Sequence, residues 1–60
     1  MEKRFLSLRE ASRYLAMSQD YLYKLVERKG ISHYRFGRSI RFDLGELTEW
    51  VERFRVEQDA

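Results

Sequence analysis

The chain has 60 residues, with 12 Lys and Arg, 10 Asp and Glu, one His and no Cys. A chain this short forms one domain and buries only about 60% of the surface that it exposes when unfolded, so a deep substrate cavity is hard to build. The cysteine count excludes disulfides and thiolate metal sites, and a single His excludes a cluster of imidazole ligands. We therefore expect one domain over residues 1–60, with a core over about 5–56, that is not an enzyme and binds no cofactor.

Charge is distributed unevenly along the chain. Residues 1–42 hold ten Lys and Arg against four acids, a net charge of +6, whereas residues 43–60 hold two against six, a net charge of −4. The first part favours an anionic partner and the second repels one. No apolar run approaches the roughly 18 residues that cross a bilayer, and the first ten residues lack the apolar centre of a signal peptide. We expect a cytoplasmic protein.

The first two predicted helices are short and close together. Ser7 and Glu10 have the S-x-x-E spacing of a capping box, which predicts a helix that begins after Ser7 and continues to Leu15. Residues 16–18 suffice only for a tight turn, and Ser18 is a favourable N-cap for a second helix. Two short helices joined by about three residues predict a helix-turn-helix.

The second helix is predicted from about Gln19 to Lys29, with Gly30 in the left-handed conformation that ends it. Helical periodicity places Leu22, Leu25 and Val26 toward the core. The remaining positions face outward: Gln19, Asp20, Tyr21, Tyr23, Lys24, Glu27 and Arg28. Two exposed tyrosines on so small a domain indicate either a binding surface or rings that pack at the domain edge.

Residues 34–42 alternate between apolar and polar side chains and predict a β-hairpin. A two-residue loop would place Arg35 opposite Ile40, whereas a three-residue loop places Arg35 opposite Arg41, with Arg38 at the tip in both cases. We predict the three-residue loop, because it puts Tyr34 and Phe36 on the face of Ile40. Like charges opposed across a sheet are unfavourable, which indicates an anion between them.

The third helix is predicted to begin after Asp43, which has capping-box spacing to Glu46. Its apolar stripe, expected in the core, consists of Leu47, Trp50, Val51 and Phe54. Its outward side is acidic, which suits either a solvated surface or a docking face for a partner protein.

Catalytic signatures are missing: there is no Gly-rich phosphate loop and no Ser/His/Asp set. A helix about 10 Å wide instead fits the major groove of B-DNA, and an arginine-tipped hairpin can reach phosphates or the minor groove. We predict phosphate contacts from Arg9, Arg13, Ser18, Arg28 and Arg35, base contacts from Gln19, Asp20, Tyr21, Tyr23 and Lys24, and wing contacts from Arg38 and Arg41.

Five segments carry a family resemblance: Leu6–Ser12, Leu15–Ser18, Leu22–Gly30, Phe36–Phe42 and Leu47–Trp50. Together they resemble the small winged helix-turn-helix domain of the excisionase family, relatives of MerR-type DNA-binding domains, over roughly residues 5–54. The resemblance implies an α+β fold of three helices and a two-stranded wing, with the second helix in the major groove and the wing in the adjacent minor groove. Ala16 departs from the family pattern, which commonly has Gly there, and a left-handed Ala costs about 1–2 kcal/mol.

Members of that family are recombination directionality factors or small transcriptional regulators. The resemblance therefore implies double-stranded DNA as the partner, a nucleoid-associated location in bacteria, and contacts with an integrase or with neighbouring copies on DNA. Without a long dimerisation helix, the chain is expected to be monomeric when free. From the residues alone, a protein-interaction adapter that uses the acidic third helix stays open as an alternative from another class.

Overall fold

The computed structural model describes residues 4–57, which form three helices and three strands. In chain order these are β1 (Phe5–Ser7), α1 (Leu8–Leu15), α2 (Gln19–Glu27), β2 (Tyr34–Phe36), β3 (Ser39–Asp43) and α3 (Leu44–Glu52). The predicted α+β winged helix-turn-helix class is confirmed. The sheet has one strand more than the predicted hairpin, because β1 joins it.

The sheet is antiparallel and has the order β1-β3-β2. Leu6 of β1 pairs with Phe42 of β3, and both side chains are buried on the inner face. Sequence analysis missed β1 because three residues are too few to show strand alternation. The strand ties the start of the chain to the middle of the sheet.

The core lies between the inner face of the sheet and the three helices. Its buried apolar side chains are Leu6, Ala11, Leu22, Val26, Ile31, Ile40, Phe42, Leu47 and Trp50. The indole N–H of Trp50 donates a hydrogen bond of 2.8 Å to the carbonyl of Gly30, so α3 is also tied to the loop that follows α2. This polar contact satisfies the one polar atom of a buried tryptophan ring.

The predicted capping box at the start of α1 is confirmed. Ser7 Oγ accepts the N–H of Glu10 at 3.1 Å, and the Glu10 carboxylate accepts the N–H of Ser7 at 2.9 Å, which completes the capping box. At the other end of α1, Ala16 has a φ of 56° and is therefore left-handed. The N–H of Met17 reaches back to the carbonyl of Ser12 at 2.9 Å, as in a Schellman motif.

The predicted end of α2 is wrong by two residues. The helix ends at Glu27, and Lys29 instead of Gly30 takes the positive φ, at 57°. The N–H of Lys29 bonds to the carbonyl of Val26, and the N–H of Gly30 bonds to the carbonyl of Leu25, which again forms a Schellman motif. Because Ile31 is buried in the core directly after this turn, the chain reverses one residue before the glycine.

The predicted hairpin register is also wrong. Arg35 pairs with Ile40 and Phe36 pairs with Ser39, so the loop consists of two residues, Gly37 and Arg38. Gly37 has a φ of 62°, and a positive φ at the first central residue alone is the pattern of a type II′ turn. Such turns match the twist of the flanking strands, which favours the shorter loop. The prediction assumed that Tyr34 and Phe36 face the core, but all of β2 is exposed.

The third helix begins as predicted and ends earlier than its apolar stripe suggests. Asp43 Oδ2 accepts the N–H of Glu46 at 3.0 Å, so Asp43 is the N-cap. Leu47 and Trp50 are buried, whereas Val51 and Phe54 are exposed. Phe54 lies beyond the helix end at Glu52, where its ring centroid is 4.8 Å from that of Trp50 and the side chain is 63% exposed, so its predicted burial is wrong.

Candidate nucleic-acid interface

Helix α2 is anchored to the domain along one side and capped at its start. Leu22 and Val26 are at most 2% exposed, which fixes the rotation of the helix about its axis. The hydroxyl of Ser18 accepts the N–H of Tyr21 at 3.1 Å and satisfies one of the free donors of the first turn. The helix therefore stands on the surface in one orientation, with its opposite side in solvent.

The predicted base-contacting side chains all lie on exposed positions of α2. At about 100° per residue, Asp20 and Lys24 point most directly away from buried Leu22, with Gln19 and Tyr23 along one flank. This outward side offers an amide, a carboxylate, a phenol and an ammonium group within two turns. These groups can form the hydrogen bonds that distinguish base pairs in a major groove.

Six cationic side chains of the predicted interface are exposed. They are Arg9 and Arg13 of α1, Lys24 and Arg28 at α2, and Arg35 and Arg38 of the hairpin. Among residues 4–57, none of these six has a carboxylate oxygen within 4.0 Å. Their positive charge is therefore not neutralised within this part of the chain and is available to an anionic ligand.

The three hairpin arginines do not converge as predicted. Arg35 lies on the face of Ile40, whereas Arg41 pairs with Tyr34 and lies on the other face. Arg41 is half-buried, and its Nη1 donates a hydrogen bond of 2.8 Å to the carbonyl of Ile40. The argument from two opposed arginines is therefore wrong. Arg38 does lie in the two-residue loop at the tip, as expected.

Sequence comparison identifies the family to which this arrangement belongs. A family described as the helix-turn-helix domain matches residues 5–55, which is nearly all of the described chain. The chain belongs to the helix-turn-helix domain family. Membership of this family points to DNA binding. No curated protein matches the chain.

One predicted contact of this helix-turn-helix domain, Tyr21, lies beside an apolar groove between α2 and α3. The groove has a volume of about 280 Å³ and is lined by Met17, Tyr21, Leu25, Trp50, Val51 and Phe54. The side of α2 that carries Tyr21 therefore faces α3, whereas Tyr23 lies on the opposite flank. Edge packing, the alternative for both tyrosines, fits Tyr21 better than Tyr23.

Two acidic residues at the start of α3, Asp43 and Glu46, form hydrogen bonds with other parts of the helix-turn-helix domain. Arg4 Nε lies 2.8 Å from Asp43 Oδ1, and the hydroxyl of Tyr34 donates to Glu46 Oε2 at 3.1 Å. The hydrogen bond from Arg4, assisted by the N–H of Glu46, lowers the pKa of Asp43, and the carboxylate of Glu46 raises the pKa of Tyr34. Asp43 therefore stays ionised while it caps α3 and fastens the start of the chain.

No helix within residues 4–57 has the length and apolar character required to cross a membrane.

Proposed function

We propose that this helix-turn-helix domain binds double-stranded DNA sequence-specifically, with α2 in the major groove and the wing, residues 34–42, in the adjacent minor groove. The observation that carries the proposal is the orientation of α2, whose buried Leu22 and Val26 leave the side of Asp20 and Lys24 outward. A helix held in this way can present the same side chains to every duplex that it meets, which sequence readout requires.

The proposed contacts are of two kinds: some position the protein on the duplex, and others recognise its base sequence. Phosphate contacts come from Arg9, Arg13, Ser18, Arg28 and Arg35, base contacts come from Gln19, Asp20, Tyr21, Tyr23 and Lys24, and the wing contributes Arg38 and Arg41. Phosphate contacts set affinity without carrying sequence information, whereas contacts to base edges set specificity. Of the twelve, Arg41 has the weakest support, because its guanidinium is half-buried and bonded to a backbone carbonyl.

The biological role that we propose is that of an excisionase, a recombination directionality factor of a mobile element. The ordered resemblance over roughly residues 5–54 supports this role. An integrase is then the expected protein partner. The acidic outward side of α3 is its expected docking face, because this side does not contact DNA in the proposed binding mode. Cooperative binding to several adjacent sites supports this role, and independent binding to single promoter sites contradicts it in favour of a transcriptional regulator.

The test begins with selection of a high-affinity duplex from random sequences, followed by binding titrations with that duplex and with random duplex. Lys24→Ala is expected to lose about 1–3 kcal/mol of discrimination between the two, whereas Arg38→Ala is expected to weaken both to a similar degree. Arg55→Ala removes the same charge outside the proposed interface and is the control, with no change expected. Equal losses on both duplexes for Lys24→Ala would contradict its role in base readout.

A further inference from the structure

An aromatic side chain at the end of the wing does not contribute to the core. Phe36 is 60% exposed and precedes the two-residue loop directly. Its ring lies nearly parallel to that of Tyr34, with centroids 6.5 Å apart, and Tyr34 in turn contacts Phe5. Phe36 is thus the outermost of three rings on the outer face of the sheet. A row of exposed rings that ends at the tip of the wing is a candidate contact surface.

Charge along the outer face distinguishes Phe36 from the other two rings. Phe36 directly precedes the loop that contains Arg38, which has no carboxylate partner among residues 4–57. Arg35 also has none there, but it lies on the opposite face of β2, with Ile40. At the other end of the row, Tyr34 donates to Glu46, and Phe5 pairs with Asp43 across the sheet. A polyanion therefore meets beside Phe36 a cation, Arg38, that is unpaired within the described residues, whereas the cation over the Phe5 ring, Arg4, is already bonded to Asp43.

The loop beside Phe36 gives the wing a narrow tip. Gly37 adopts a φ of 62°, and no described atom lies within 4 Å of the position that a Cβ would take. A hairpin that reverses in two residues is the narrowest connection between antiparallel strands, which suits the roughly 6 Å width of a minor groove. Proteins that bind this groove frequently insert an apolar side chain between base steps and kink the duplex by about 20–90°.

We propose that Phe36 is a wedge that inserts between two adjacent base pairs in the minor groove and bends the duplex. The proposal rests on the proposed function, since it requires the wing to lie in that groove. Arg38 holds a flanking phosphate, and the ring replaces the stacking that the opened step loses. Pyrimidine–purine steps unstack most easily, so the preferred site contains one where the wing binds.

The experiment uses the full chain and a set of selected duplexes that carry 2-aminopurine at successive positions, with a fluorophore pair at the two ends. The wild-type protein is expected to raise 2-aminopurine fluorescence several-fold at one step and to shorten the end-to-end distance. Phe36→Ala is expected to abolish both signals, and Phe36→Leu, which keeps an apolar wedge, to retain them. Phe54→Ala removes a ring of similar exposure, 63%, outside the wing and is expected to behave like the wild type.

The outcomes separate this inference from the proposed function. A duplex that binds the wild-type protein without unstacking or bending overturns the wedge and leaves duplex binding intact. Unchanged signals for Phe36→Ala also overturn it and leave the exposed ring available to a protein partner instead. Failure of the wild-type protein to bind any selected duplex overturns the proposed function and the wedge together. The first and third of these results are measured on the wild-type protein, so they can be obtained even if Phe36→Ala folds poorly.

Discussion

Replacement of Ala16 by glycine is expected to stabilise the protein. Ala16 has a φ of 56° in the turn between α1 and α2, and a Cβ in this conformation costs about 1–2 kcal/mol. Glycine removes that cost but increases the entropy of the unfolded chain, which offsets about 0.4–1 kcal/mol. Ala16 is exposed, so its methyl group adds little packing. The expected net gain is about 0.5–1 kcal/mol, or a rise in Tm of about 2–8 °C for a domain of this size.

Thermal unfolding followed by circular dichroism measures this gain. Lys29→Gly tests the same reasoning at the end of α2, where φ is 57°, and is expected to raise Tm by a similar amount. Glu49→Gly, within α3 and exposed, is the control and is expected to lose about 0.5–1 kcal/mol. A Tm for Ala16→Gly at or below that of the wild type would refute the assignment of strain to the turn.

Three further predictions concern the core, the N-cap of α3 and the interface. Leu22→Ala, at a fully buried position, is expected to cost about 2–5 kcal/mol in urea unfolding, a large part of the roughly 3–9 kcal/mol available to 60 residues. The lowered pKa of Asp43 means that its stabilising contribution is complete above about pH 4 and lost as pH falls through that pKa, so Asp43→Asn should flatten the acid decline of Tm. Neutralisation of about five phosphates predicts a slope of −4 to −5 for the logarithm of affinity against that of salt concentration, and a slope near zero contradicts it.

The helix starts could be predicted from the sequence because each depends on a few neighbouring residues. Ser7, Ser18 and Asp43 all cap the helices that follow them, as their spacing indicated. The helix ends were harder to predict, because the position of the left-handed residue depends on where the next buried side chain lies. Burial of Ile31 placed that residue at Lys29, although Gly30 was the better local candidate.

The hairpin register could not be obtained from alternation alone. Alternation in β2 indicates which residues share a face of the strand but not which face is buried. The prediction placed Tyr34 and Phe36 on the buried face, whereas all of β2 is exposed. The structure places both on the outer face, because β2 is an edge strand that extends beyond the core. For the same reason sequence analysis overlooked Phe36 as a candidate contact, although a phenylalanine beside a glycine loop with two arginines was a usable signal.

The exposure of the candidate site on α2 could be predicted from the sequence. Once the buried residues of the helix are known, helical periodicity gives the positions that face solvent. Eleven of the twelve predicted contacts are exposed. The exception is Arg41, which is half-buried and lies on the opposite face of the hairpin from Arg35, because the observed register differs from the predicted one. Exposure shows that these side chains are accessible.

The most direct test of simultaneous binding in two grooves uses base analogues in the selected duplex. Replacing guanine or adenine by its 7-deaza form removes the N7 acceptor of the major groove, and replacing guanine by inosine removes the amino group of the minor groove. With α2 and the wing in adjacent grooves, affinity should fall for 7-deaza substitutions in one segment and change for inosine substitutions in a neighbouring segment. Effects confined to one groove, or absent from both, would contradict the proposed binding mode.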